Sequence, residues 1–380
     1  MACAYLDNSA TTRPCEAAVA AMERALREEW YNPSAVYKPS VEAFRALRDA
    51  RQRLLDAVGG ASCDAIFTSG GTESNNLAIL GAVNRMRGRQ VLAVSAVEHP
   101  SVREAFNLLS EQGHDVRVIG VDAAGQLRWD ELEAALNDGA SLVSCMQVNN
   151  ETGAVLDAPR LHETVNGRAL IHVDGVQGFL RAPFDMKLAD MYTVSSHKLH
   201  GPKGAGALIV RKGVHLKPHH VGGGQESGLR SGTENTPGIA GMDAAIADLI
   251  ALGPDMPGKL MAKKLRLVEG VKAAVPDVIV NGPNPEDGAP HIVNLGFPGV
   301  RGEVMLHALE GEGIYVSTGS ACSSKKLKVS GVLTAMGIMP RVAEWAVRFS
   351  LSPHTTDEEI DYAAGKIGVL YDQLKRFQRR

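Results

Sequence analysis

The sequence predicts an α/β protein whose parallel strands are joined by helical crossovers. Two observations carry that expectation. Short apolar, β-rich runs alternate with helix-like segments over most of the 380 residues, and residues able to do chemistry gather just past the ends of those runs. In such sheets ligands bind beyond the carboxyl ends of the strands.

In order, the expected strands are Ala65 to Thr68, Val91 to Ser95, Val116 to Gly120, Ser141 to Val148, Ala169 to Val173, Met191 to Ser195 and Gly206 to Val210. Helical patterns at Glu73 to Arg87, Val102 to Gln112 and Asp130 to Leu136 lie between them. The stretch from Val221 to Gly238 is rich in glycine and polar groups, and its organised charge marks a functional loop rather than a plain linker. A helix near Met242 to Leu252 ends at the breaker GPDMPG, which places a domain boundary around residue 255. Beyond it come another helix, a mixed segment from His291 to Phe297 and C-terminal helices.

Bulk composition narrows the function classes. With 44% hydrophobic and 22% charged residues and a formal net charge of -3, the chain suits a water-soluble globular protein without the basic footprint of a nucleic-acid binder. Its five cysteines, Cys3, Cys15, Cys63, Cys145 and Cys322, are scattered and form no CxxC pair, so neither a zinc site nor a disulfide framework is expected. The start, MACAYLDNSATT, lacks the basic and apolar regions of a signal peptide, and no apolar run reaches the roughly 20 residues of a membrane helix. A cytoplasmic setting is the expectation.

The chemistry-bearing residues come in a fixed order. Ser69-Gly70-Gly71-Thr72 ends one strand and opens a helix, where backbone N–H groups and the Thr72 hydroxyl suit a phosphate; an ordinary turn with Thr72 as cap fits the same residues. His99, in Glu98-His99-Pro100-Ser101-Val102, follows the next strand, where an imidazole stacks on a flat ring or exchanges protons near neutral pH. Asp174 ends the apolar run Ile171-His172-Val173 and needs a cation or donors there, or else serves as a turn cap. Lys198, after Ser195-Ser196-His197, closes another strand before the tight turn Leu199-His200-Gly201-Pro202-Lys203-Gly204. A lysine beside a carbonyl cofactor forms a Schiff base. Phosphate loop, stacking imidazole, strand-end acid and strand-end lysine are together what pyridoxal 5'-phosphate (PLP) requires, because its pyridine nitrogen must stay protonated for the ring to take up electrons.

With the further motifs Tyr5-Leu6-Asp7-Asn8-Ser9-Ala10-Thr11-Thr12, Val148-Asn149-Asn150-Glu151-Thr152-Gly153, VDGVQ, RSGTEN, STGSACSS and RFSLSPHTTDEEI, the chain resembles the NifS/IscS-type cysteine desulfurases of the class V aminotransferase family from about residue 5 to about residue 361. The resemblance implies a fold type I PLP-dependent transferase. Its large domain, residues 15–255, holds a mostly parallel seven-stranded sheet; a smaller α+β domain combines 1–14 with 256–380. It implies Lys198 as the cofactor lysine, Asp174 as partner of the pyridine nitrogen, His99 stacked on the ring and Gln177 at the phenolic oxygen. Asn150 would lie beside ring and substrate. Gly71, Thr72, Ser195 and His197 would hold the phosphate, with Thr233 contributed by the neighbouring subunit of a homodimer. Arg348 would clamp the carboxylate of L-cysteine. Cys322 would take the sulfur as a persulfide and pass it to a protein acceptor, an iron–sulfur scaffold or a tRNA-thiolating enzyme.

Two features stand apart from that pattern. Tyr37 replaces a usual His and Ser40 a usual Gly in Asn32 to Ser40. His215, His219 and His220 lack an accompanying carboxylate or thiol in sequence, so a solvated cluster rather than a metal site is expected. The loop bearing Cys322 has the longer form, with Lys325, Lys326 and Lys328 nearby, which resembles desulfurases that pass persulfide directly to other proteins. The competing readings are a selenocysteine lyase and a carrier protein that kept the fold without catalysis.

Overall fold

The structure, a computed structural model, describes residues 3–318 and 330–378. In chain order its strands are β1 (Ala4–Tyr5), β2 (Cys63–Thr68), β3 (Val91–Ser95), β4 (Asp115–Ile119), β5 (Ala140–Met146), β6 (Leu170–Asp174), β7 (Met191–Ser195), β8 (Gly206–Arg211), β9 (Ile279–Val280), β10 (Ile292–Gly296), β11 (Ile314–Tyr315) and β12 (Ala346–Ser350).

Seven of them form one sheet in the order β2-β8-β7-β6-β5-β3-β4. From β7 through β4 the neighbours are parallel, and each parallel step carries a crossover. β8 is the exception, antiparallel to both β7 and β2. The reason lies in the tight turn after Lys198, which is too short for a crossover and returns the chain alongside the strand it has just left. All five residues of β7 are buried, as a strand covered on both faces requires. β4 closes one edge with Arg117 exposed and paired to Asp115 and Asp138, a charged rim that discourages edge-to-edge pairing.

Side chains alternate between the faces with the period of two that a pleated strand imposes. Ile66, Leu92, Leu142, Met191 and Leu208 pack on one side against the helices Gly71–Val83 and Pro100–Glu111. Their neighbours Phe67, Ala93, Val143, Tyr192 and Ile209 face the other side, against the helices Lys38–Asp56, Trp129–Asn137, Ala158–Val165 and Thr236–Ala251.

A second apolar cluster is assembled from the chain's two ends. Ala4 and Leu6 join Leu267, Val271, Val293, Leu295, Phe297, Phe349, Ile360 and Ile367. Here β10 lies between β12 and β9, antiparallel to both, and β1 pairs with β11 in parallel. The helices Met256–Ala274, Gly302–Gly311 and Asp357–Gln378 cover this layer. Residues 7–12 lead from this region to the end of β7: Asp7 bridges to Ser350, and Thr12 N–H donates to the His197 carbonyl at 2.9 Å.

Candidate active site

The parallel strands bring their carboxyl ends to one side of the sheet, and the residues singled out from the sequence gather there. After β2 the chain passes through Gly70, at φ +148°, into the helix that begins at Gly71. A Cβ on Gly71 would come within 2.8 Å of Val176 Cγ2 and 3.5 Å of Ser195 Cβ, so this loop, the end of β7 and the turn after β6 are packed to backbone distance. The helix N-terminus therefore presents its backbone donors beside Ser195. Thr72, exposed, stands on its first turn.

Asp174 ends β6 with 4% of its surface exposed. Such a carboxylate needs donors, and it has two: Asn75 Nδ2 at 2.8 Å and the Val176 N–H at 3.0 Å. The same Asn75 amide nitrogen donates to Ser101 Oγ at 2.9 Å. Ser101 Oγ in turn lies 2.8 Å from His99 Nδ1, which also accepts the Ser101 N–H and thereby caps the helix Pro100–Glu111. This chain of four side chains fixes the His99 ring relative to Asp174. With Nδ1 accepting, the ring proton of the neutral imidazole sits on Nε2. Burial lowers the His99 pKa, Asp174 opposes that shift and Lys198 adds to it. Asp174 and Lys198 thus both lie near enough to His99 to act on its charge.

Lys198 is positioned by the 3-10 turn Ser196–Lys198 that follows β7. Its amine donates to the carbonyls of Ser9 at 2.5 Å and Ala10 at 2.7 Å. Gln177, buried, donates to the same Ser9 carbonyl at 2.9 Å. His197 Nδ1 lies 3.1 Å from Thr11 Oγ1, and burial, reinforced by Lys198, pushes its pKa down to about 4. The N-terminal segment is therefore one wall of the site.

β12 supplies a further part of the site, in contact with the same N-terminal segment. Arg348, 5% exposed, pairs with Asp7 Oδ1 at 2.6 Å through Nη2 and donates from Nη1 to the Asn150 carbonyl at 3.0 Å, while its Nε is a buried donor with no partner among the described residues. Asn149, next to Asn150, holds the loop shape by accepting the N–H groups of Glu151 and Thr152 at 3.0 Å each.

The structure thus brings Gly71, Thr72, His99, Asn150, Asp174, Gln177, Ser195, His197, Lys198 and Arg348 to the strand-end side of the sheet. Thr233 is exposed on the Gly-rich loop, whose Arg230 is tied to Glu73 at 3.1 Å. Cys322 lies outside the described residues, as do Lys325, Lys326 and Lys328. Tyr37 is exposed and packs edge-on against Tyr31 at 6.1 Å, while Ser40 is fully buried within the helix Lys38–Asp56. Among the described residues no His, Cys, Asp and Glu group is arranged to hold a metal ion, and no helix is long and apolar enough to cross a membrane.

Sequence reasoning passed over Asn75, Ser101, Asp7 and Glu98. Asn75 and Ser101 sat inside motifs already noted, near the starts of two helices that follow strands; that shared placement was the available signal. Glu98 is fully buried and accepts from Ser95 Oγ at 2.6 Å and the Met146 N–H at 2.7 Å; burial, with Asp174 adding, pushes its pKa up to about 8.

The donor set fits PLP. A glycine cradle at a helix N-terminus suits a phosphate, Asp174 is an acceptor whose own donors keep it oriented, and an amine closes the strand beside them.

Comparison with known proteins agrees with this chemistry. The chain matches the aminotransferase class-V family over residues 4–363. It is 39% identical to a cysteine desulfurase of Trichormus variabilis over 99% of this chain and 94% of that protein. A cysteine desulfurase of Gluconacetobacter diazotrophicus is 41% identical over 94% of this chain and 90% of its own. Among solved structures, a NifS-like protein superposes with a TM-score of 0.90 at 34% identity, covering 98% of this chain and 100% of that one. A structure described as SspA in complex with cysteine gives 0.80 at 29% identity, over 93% and 100% of the two chains.

Proposed function

We propose that this chain, which belongs to the aminotransferase class-V family, is a PLP-dependent cysteine desulfurase that converts L-cysteine to L-alanine and takes the sulfur onto Cys322. The observation that carries the reading is the convergence of Asp174, His99 and Lys198 at the strand ends, with the acid and the imidazole locked together through Asn75 and Ser101.

PLP, when bound, supplies an aldehyde that amines bond to and a ring that accepts electrons as the substrate's α-proton leaves. Its phosphate would be held by the N–H groups at Gly71 and Thr72 with Ser195 and His197. Asp174 would face the pyridine nitrogen, His99 the ring and Gln177 the phenolic oxygen. Arg348 offers the carboxylate of L-cysteine a forked donor, and its bonds to Asp7 and to the Asn150 carbonyl keep the guanidinium in place before substrate arrives. Asn150, whose carbonyl Arg348 already holds, stands beside the substrate. Lys198 Nζ takes up the α-proton. Sulfur transfer then balances as follows: the Cys322 thiolate forms an S–S bond to the substrate sulfur, the Cβ–S bond breaks, its electrons stay on carbon and a proton there completes alanine. Cys63 and Cys145, both buried, are unsuited to that role because burial raises their pKa.

Two apolar clusters, one drawn from residues 18–249 with Val332 and Met336 and one from residues 4–6 and 256–371, support reading residues 15–255 as the cofactor domain and the remainder as a smaller one. Thr233, exposed on the Gly-rich loop, is free to serve the phosphate of a second copy in a homodimer. The acceptor of the persulfide is another protein, and the setting is the cytoplasm.

The test is the visible spectrum of PLP-loaded protein before and after L-cysteine, followed by alanine and sulfide assays under reductant. The reading expects a cofactor band that changes on adding cysteine, with alanine formed, and no such band in Lys198→Ala. A coloured protein inert to cysteine but active on selenocysteine would reassign the substrate.

A further inference from the structure

Cys322 lies in residues 319–329, outside the described residues, between Thr318 and Ser330. The residues on either side are each tied to the site. On the N-terminal side, Ser317 and Arg348 exchange backbone hydrogen bonds, Ser317 N–H to the Arg348 carbonyl at 3.2 Å and Arg348 N–H to the Ser317 carbonyl at 2.6 Å. On the C-terminal side, Ser330 Oγ donates to Glu151 Oε2 at 2.5 Å and accepts the Leu333 N–H at 3.1 Å, capping the turn Gly331–Ala335.

Glu151 is itself held. Its N–H donates to Asn149 Oδ1 at 3.0 Å, and its carbonyl accepts Asn294 Nδ2 at 3.2 Å from β10, at the position paired with Arg348 of β12. The Asn150 carbonyl beside it accepts from the Arg348 side chain. Both Glu151 and Ser330 are 8% exposed. A carboxylate buried this far costs stability unless it makes strong hydrogen bonds, and burial raises its pKa. The Glu151 side chain meets that cost with its bond to Ser330, eight positions after Cys322 in the chain.

We propose that Glu151 is a positioning residue for sulfur transfer: its hydrogen bond to Ser330 fixes the chain just after the Cys322 segment relative to Arg348 and Asn150. The proposal rests on the cysteine desulfurase reading, since only there does the placement of Cys322 matter to the reaction. The Glu151–Ser330 bond includes none of the side chains assigned to the cofactor or to L-cysteine, so its loss can be read apart from theirs.

The experiment uses PLP-loaded full-length protein and the variants Glu151→Ala, Glu151→Gln, Ser330→Ala and the Glu151→Ala/Ser330→Ala double variant. Three quantities are read: the cofactor absorbance change on adding L-cysteine, the single-turnover rate at which Cys322 gains sulfur by peptide mass, and the rate of tryptic cleavage at Lys325, Lys326 and Lys328. Both alanine variants are expected to keep the absorbance change while sulfur gain slows about tenfold and cleavage quickens. The double variant is expected to be no slower than the slower single one, because both remove the same contact. Glu151→Gln keeps an acceptor and is expected to restore most of the rate, and it also serves if Glu151→Ala fails to fold. Additive losses, or sulfur gain and cleavage both at wild-type rates, would overturn the proposal. If wild-type protein itself gains no sulfur on Cys322, the desulfurase reading fails instead, and the cleavage rates alone decide the anchoring.

Discussion

The two walls of the site are built on different terms. The wall at the ends of β6 and β7 is local and internally complete: Asp174, Asn75, Ser101 and His99 satisfy one another, and each sits at a strand end or near the start of the helix that follows one. The other wall is assembled from distant pieces, with Arg348 on β12 meeting Asp7, Asn150 and Ser317, and Glu151 meeting Ser330. A preformed hydrogen-bond chain suits a cofactor that stays through every turnover. A wall joined by a few long-range contacts suits a substrate carboxylate that arrives and leaves with each turnover.

If this division is right, substitutions on the two walls will fail differently. The largest effect is expected from Arg348→Lys. Lysine keeps a charge for Asp7 and loses the forked donor, so the KM for L-cysteine is expected to rise about ten- to hundredfold with cofactor affinity unchanged. Steady-state kinetics and a PLP titration check this together, and weakened PLP binding would erase the distinction between the walls. Asn75→Ala is expected to do the reverse. It removes donors to Asp174 and Ser101, so PLP affinity is expected to fall about tenfold and the cofactor band to shift, while KM changes little. Equilibrium dialysis of PLP and the absorbance spectrum are the readouts.

A smaller effect probes how rigid the first wall's foundation is. His172 lies under Asp174 on β6, fully buried, bonded to Ser144 Oγ at 2.8 Å and Thr193 Oγ1 at 3.1 Å, and burial pushes its pKa down to about 3. A depressed histidine pKa favours the neutral ring, so its contribution is present above the usual value of about 6.5 and is lost as pH falls toward 3. The expected slope from this one group is at most about 1.4 kcal/mol per pH unit in that window. Urea unfolding of wild type and His172→Gln at pH 7 and pH 5 should show the stability gap narrowing at pH 5. An equal gap at both would mean that the buried ring carries no pH dependence. Glu98 acts in the opposite sense: its raised pKa gives a contribution present below about 4.5 and lost as pH rises through about 8.

The same contrast explains what the sequence made legible. Strand ends and the helices after them are contiguous in the chain, so Asp174, His99, Lys198 and the Gly70-Gly71 turn stood out together, and the strands lay within two residues of their expected ends. The reversal of β8 followed from a turn too short for a crossover. The second wall had no such signature. Arg348 and Asp7 are 341 positions apart, and Glu151 and Ser330 are 179 apart. Nothing local to a glutamate in an NNETG turn says which hydroxyl it will meet. Asn75 and Ser101 were missed for another reason: both read as ordinary residues near a helix start until the fold sets them between an acid and an imidazole.

The central claim is that carbon and sulfur part company between Lys198 and Cys322. It is tested most directly by mixing PLP-loaded protein with less than one equivalent of L-cysteine, without reductant, and measuring both products. The account expects one alanine for each sulfur gained, with that sulfur on the Cys322 peptide and, in Cys322→Ala, an unchanged cofactor spectrum with no persulfide. Alanine formed at the wild-type rate by Cys322→Ala, or sulfur mapped to Cys3 or Cys15 instead, would contradict it.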